Sequence, residues 1–178
     1  MHVGHWVVHS GDNGGLPFVL VDKPESRVYV FDAQGRLLDA APALLGLARG
    51  DESVPGIGAR KMSTIRPDER TTPAGRFLAS MGRALNGDEI LWVDYDAAIA
   101  LHRVIAAPKE RRLQRLAGPA PAERRITYGC INVAVNFFEQ VVIPAFKEGR
   151  GIVYVLPETR SPRELFGSYD VPPARPKE

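Results

Sequence analysis

The sequence predicts a mainly β domain, an antiparallel, sandwich-like set of strands with one principal helix and one basic helical or loop segment. Three observations lead there. Short β-branched and aromatic runs, among them Phe18-Val19-Leu20-Val21, Val28-Tyr29-Val30-Phe31 and Ile152-Val153-Tyr154-Val155-Leu156, recur between turn-forming residues. Only Val133 to Phe146 sustains a helical apolar period, with Phe138, Val142 and Phe146 on one stripe. Between Arg103 and Arg125 the chain gathers Arg103, Lys109, Arg111, Arg112, Arg115, Arg124 and Arg125, interrupted by Gly118-Pro119-Ala120-Pro121.

The 178 residues are most simply one domain, large enough to bury a core without disulfides. A hydrophobic fraction of 44% and a charged fraction of 25% are those of an ordinary globular protein. A formal charge of +2 gives no sign of a dedicated nucleic-acid binder. No apolar run reaches the length of a membrane span. The amino terminus lacks the basic and apolar regions of a signal peptide. That leaves a cytoplasmic protein, or an exported one whose leader is missing from this sequence.

Residues 1–15 read as an N-terminal extension with little periodicity apart from Trp6-Val7-Val8. His2, His5 and His9 crowd it, but no cysteine or carboxylate completes a familiar ligand spacing, so a packed or mobile end is expected and no metal site. The first two strands are separated by the turn Asp22 to Arg27, and Leu37 to Leu45 forms a third after Ala33-Gln34-Gly35-Arg36, an antiparallel meander. Gly46 to Asp68 is a long connection. Its Gly56-Ile57-Gly58-Ala59-Arg60-Lys61 lacks the spacing and the Lys-Ser/Thr ending of a phosphate loop. Pro73 and Gly75 make a compact turn into a strand from Phe77 to Met81, and Glu89 to Asp94 and Ala98 to Arg103 are further strands. Asp94 and Asp96 between them are read as turn formers rather than paired catalytic carboxylates. A short basic helix is expected near Pro108 to Leu116, pinned by Leu113 and Leu116. It is either a solvated face or a lid drawing an anionic substrate. Pro144 should end or kink the principal helix. Residues 158–178 read as a tail.

Chemistry concentrates at Arg125-Ile126-Thr127-Tyr128-Gly129-Cys130-Ile131-Asn132, which holds the only cysteine. Asn132 is a good N-cap, so Cys130 would feel a helix N-terminus, which favours thiolate. The plain alternative is a small buried hydrophobe. A catalytic cysteine needs a base, and His102 in the alternating run Ile99 to Val104 is better placed than the N-terminal histidines.

Thr127-Tyr128-Gly129-Cys130-Ile131-Asn132 resembles the Ser/Thr-His-Gly-Cys-apolar-Asn/Arg signature of the L,D-transpeptidase catalytic domain (YkuD-like). His102 stands where that family has its upstream strand histidine, and Thr72-Pro73-Ala74-Gly75-Arg76-Phe77 resembles its Thr-Pro-x-Gly-x-Phe turn. The resemblance spans 16–157, with 106–125 as an insertion. It implies a cysteine acyltransferase acting on peptidoglycan stem peptides through a Cys130 thioester. His102 would be the base, the Arg103 carbonyl would orient its ring, and backbone N–H groups at Tyr128 to Cys130, Gly129 included, would form the oxyanion site. Thr127, Asn132, Arg111, Arg112, Arg124 and Arg125 are candidates for binding substrate, the arginines through stem-peptide carboxylates. Carbapenems are possible inhibitors. No metal or organic cofactor is called for, and the periplasm is the expected compartment.

Two departures qualify the resemblance. Tyr128 replaces the motif histidine, and a phenol titrating near 10 is no neutral-pH base. The 24 residues between His102 and Thr127 exceed the family's usual spacing. A divergent branch linking through the first stem residue is one expectation. The rivals are an L,D-carboxypeptidase or amidase with water as acceptor, and a non-catalytic wall-binding module.

Overall fold

The computed structural model describes residues 2–172. Among these, the chain is mainly β. The strands are β1 (Phe18–Asp22), β2 (Arg27–Phe31), β3 (Leu37–Pro42), β4 (Leu45–Gly46), β5 (Gly75–Arg83), β6 (Glu89–Asp94), β7 (Ile99–Arg103), β8 (Arg125–Thr127), β9 (Ile131–Val133) and β10 (Arg150–Val155). Eight form one sheet in the order β3-β2-β1-β10-β5-β6-β7-β9, and β4 pairs with β8. The large sheet is antiparallel except at β1–β10 and β7–β9. The first parallel pair brings the last strand back into the centre. The second builds the site.

β1 and β10 are continuous apolar runs because both their faces are covered. On one face Val19, Val21, Val153 and Val155 join the main core with Leu91, Leu101, Ile131, Phe138 and Phe146. On the other, Phe18, Leu20, Ile152 and Tyr154 pack against Val3, Trp6 and Val7 of an N-terminal helix, α1 (His2–Ser10). Residues expected to be unpatterned thus form a helix whose buried Trp6 stacks on Phe166 and meets Tyr154 edge-on. Short range, Trp6-Val7 looks like strand; the sheet's second face selects the helix, because it offers a groove for one stripe. His9 bonds the Tyr169 hydroxyl. Phe166 belongs to α5 (Pro162–Phe166), begun by a reciprocal capping pair of Ser161 and Glu164, so the segment after Pro157 straps back onto the sheet.

The basic segment folds as a 3₁₀ turn (Pro108–Glu110) and α2 (Arg112–Ala117), close to expectation. Leu116 alone pins it, against Leu44 and Val104, while Leu113 is exposed. After β9, α3 (Val135–Phe137) runs through a π turn (Phe138–Val142) into α4 (Ile143–Phe146). The π turn widens the helix just before Pro144, where a missing N–H would otherwise break an α-helical bond.

Among the described residues no helix is long and apolar enough to cross a membrane.

Candidate active site

β7 and β9 run parallel with His102 opposite Asn132. This register contradicts the N-cap expected of Asn132. The cap position is Ala134, without a side-chain bond, and Asn132 lies inside a strand, 1% exposed. Pairing of β9 with the sheet edge outcompetes the local capping preference, since Asn132 exchanges backbone bonds with Leu44 as well. Cys130 therefore opens a strand and receives no helix dipole.

The turn before it is held from within. Gly129 adopts φ +134, and a Cβ there would stand 2.8 Å from the Thr71 carbonyl oxygen and 2.7 Å from Ile99, so glycine is required. The Thr127 hydroxyl donates to the Cys130 carbonyl at 2.6 Å and accepts from the Gly129 N–H at 3.1 Å. Thr72 donates its hydroxyl to the Gly129 carbonyl at 2.8 Å and accepts from the Gly46 N–H. Two expectations change. Thr127 is 2% exposed and builds the turn instead of meeting substrate. The Gly129 N–H is spent on Thr127, so the oxyanion donors expected of the turn narrow to the Tyr128 and Cys130 N–H groups.

Cys130 is half-buried between two cavities. One, about 200 Å³, is lined by His102, Trp92, Ile90, Ala100, Asp88 and Glu89. The other, about 160 Å³, is lined by Tyr128, Thr71, Ile65, Met62, Ile57 and Arg60. A larger groove of about 800 Å³, near Asp32, Gln140 and Arg150, holds neither a cysteine nor a histidine. The thiol donates to the Ala98 carbonyl at 3.7 Å. Ala98 sits at φ +56, a conformation uncommon for a residue with a Cβ, in the β6–β7 turn beside the sulfur. Asp94 accepts the Ala97 N–H in that turn, as a turn former should.

His102 Nδ1 lies 2.7 Å from the Arg103 carbonyl oxygen. A carbonyl only accepts, so Nδ1 carries the proton and Nε2 keeps its lone pair. Nε2 is 3.1 Å from the Asn132 amide nitrogen. Burial pushes the imidazole below its ordinary range, opposed by the Arg103 carbonyl, with the Arg112 charge lowering it further and Asp88 raising it. Burial pushes the Cys130 thiol up, and the Ala100 backbone and the Arg112 charge only partly oppose it. Both shifts disfavour the charged forms, so the thiolate expected at rest is corrected to a thiol, and the imidazole is neutral.

The arginines divide. Arg112 sits at the site, bonding Asn132 Oδ1 at 3.3 Å and Glu110. Arg111 is exposed in a left-handed turn. Arg124 is buried against the Gly118 carbonyl. Arg125 is buried against the Gly46 and Ala48 carbonyls and the Glu158 carboxylate. Arg124 and Arg125 are thus committed to the frame, away from both cavities. Tyr128 lines the second cavity under the Arg70 guanidinium, 3.9 Å from its ring centre. Arg70 carries no local signal, because it lies 58 residues upstream of Tyr128, between β4 and β5. That connection carries three 3₁₀ turns tied by Glu69 to Arg60 and Arg66, and Gly58 presses on the Asp96 to Ala98 backbone.

The sequence matches no protein-family model and no curated protein. Among solved structures it is similar to the L,D-transpeptidase LdtMt1 in complex with imipenem, at 16% identity and a TM-score of 0.43. That match covers 79% of this chain and 58% of the other, so the chain aligns with little more than half of the solved protein's length.

Proposed function

We propose that this chain is a peptidoglycan L,D-transpeptidase working in the periplasm, using Cys130 as nucleophile and His102 as base. The observation that carries the reading is the His102 ring, anchored by Nδ1–H on the Arg103 carbonyl, lining the same cavity as Cys130. The motif resemblance asks for this arrangement of a strand histidine, its neighbour's carbonyl and a cysteine after a glycine turn.

The thiol proton passes to Nε2 as Sγ attacks a stem-peptide carbonyl, so nucleophile and imidazolium form together during attack instead of resting as an ion pair. The oxyanion faces the Tyr128 and Cys130 N–H groups; one such donor typically contributes about 3 kcal/mol to barrier lowering. Collapse gives the proton to the departing amine and leaves a thioester. An acceptor amine then loses a proton to Nε2, attacks the thioester and expels the thiol. The two cavities give donor and acceptor separate approaches to one sulfur, and the Asp88 and Glu89 rim suits a cationic amine on the histidine side. The basic insertion lengthens the chain between His102 and Thr127 to 24 residues, and the proposed linkage is through the first stem residue.

Incubation with purified muropeptides tests this. Cross-linked dimers that are lost in Cys130→Ala are expected. Trimmed monomers alone would make the protein an L,D-carboxypeptidase or amidase, and unchanged muropeptides would make it a binding module. A carbapenem such as imipenem should add its mass at Cys130, by attack of the thiol on the lactam carbonyl, in intact-mass spectra of the parent and not of Cys130→Ala.

A further inference from the structure

Asn132 stands between two charged or polar partners that together leave its amide one orientation. A guanidinium can only donate, so the atom facing Arg112 must be Oδ1. The NH₂ then faces His102 Nε2, and a donor there requires the lone pair on that nitrogen. The Arg103 carbonyl on Nδ1 demands the same tautomer from the other side of the ring. The chain of bonds runs from Glu110 through Arg112 and Asn132 to the imidazole, and its outer end comes from the basic segment. Asn132 is 1% exposed, so water does not compete for the amide.

We propose that Arg112 is a positioning residue for His102: by fixing the Asn132 amide it holds the imidazole in the Nδ1–H form, whose Nε2 can accept a proton. This rests on the catalytic reading for its purpose, while its physical content is independent of any substrate. Without the guanidinium the amide is free to turn, and a turned amide offers Oδ1 to an Nε2–H. The ring would then give up the Arg103 carbonyl or keep both protons, and in neither state does it accept one from the thiol. The latch also has a cost: Nε2 must exchange the amide N–H for the thiol when Sγ attacks. The other ionisable groups facing the ring are Asp88 and Glu89 on the cavity rim and Cys130 itself.

The test is nitrogen-15 NMR of the imidazole across pH in the full chain. In the parent, a single neutral Nδ1–H tautomer is expected, titrating below ordinary histidine. Arg112→Met should give a mixture of neutral tautomers and move the titration upward, and Arg112→Lys, which keeps charge and donor, should restore both. A tautomer unchanged in Arg112→Met overturns the proposal, even where the titration moves, because charge alone would then account for the effect. If that variant does not fold, Asn132→Leu decides: with no amide for Arg112 to fix, the neutral tautomers should mix, and an unchanged single tautomer overturns the proposal. Expected spectra without any muropeptide dimer would count against the transpeptidase reading and leave the latch standing.

Discussion

Cys130 and His102 rest uncharged for one shared reason, removal from water, and Arg112 acts on them in opposite senses: it disfavours the imidazolium and favours the thiolate. Since the thiol's folded pKa lies above its unfolded value, Cys130 alkylation by iodoacetamide should be slower than that of a free cysteine at pH 8. It should climb as pH rises past the ordinary thiol range near 8.5. Mass spectrometry of the adduct over pH 6 to about 10.5 follows both, and a rate already at its plateau by pH 7 would contradict the resting thiol. Gly129→Ala forces a Cβ against the Thr71 carbonyl at a positive φ, so it should reduce carbapenem labelling at least about tenfold, because a displacement of about an ångström can cost about a hundredfold at a reacting centre.

Elements around the site are fixed by buried charge as much as by hydrocarbon. Lys23, 1% exposed at the end of β1, bonds Asp51 at 2.8 Å and the Gly50 and Thr72 carbonyls, with Glu158 at 3.9 Å. It thereby fastens the long connection and the C-terminal strap to Thr72, which in turn grips the Cys130 turn. Lys23→Met would leave Asp51 without its cation, and urea unfolding should show a loss of about 3–5 kcal/mol. In the connection, the Arg60 hydrogen bond and the Arg66 N–H bring Glu69 down to about 2. A depressed carboxylate contributes stability above its unfolded pKa of about 4.3, and that contribution fades as pH falls through the folded value. Glu69→Gln should therefore be less stable than the parent at pH 6, with the gap closing towards pH 2 in the same assay.

At the scale of the whole molecule the sheet separates two cores, one beside β7 and β9 and one beneath α1 and α5. Trp6→Ala should cost about 3–5 kcal/mol in unfolding experiments. Carbapenem labelling of the folded fraction should stay at the parent rate, since Trp6 touches only the second core; a matching loss of labelling would show the cores to be one unit. The strands and the principal helix were legible because each carries its own period: alternating or continuous apolar runs in β1, β2, β6 and β10, a stripe through Phe138 and Phe146. α1 was not, because nine residues with one Trp-Val pair carry too little pattern to distinguish a helix from a terminus until a groove receives them. At the site, the contact of His102 with the Arg103 carbonyl and the cavity that His102 lines with Cys130 follow the motif and its order, whereas the surroundings of Asn132, Thr127, Arg124 and Arg125 were not legible.

What the sequence determined by itself is which atoms can react, a lone sulfur after glycine and a strand imidazole, because nucleophile and base are fixed by residue type. Which groups line one cavity, which arginine stands near them and in what charge state they wait was decided by tertiary structure. The parallel register of β7 and β9 places Asn132 between His102 and Arg112, and burial, a property of the folded surroundings, sets the ionisation.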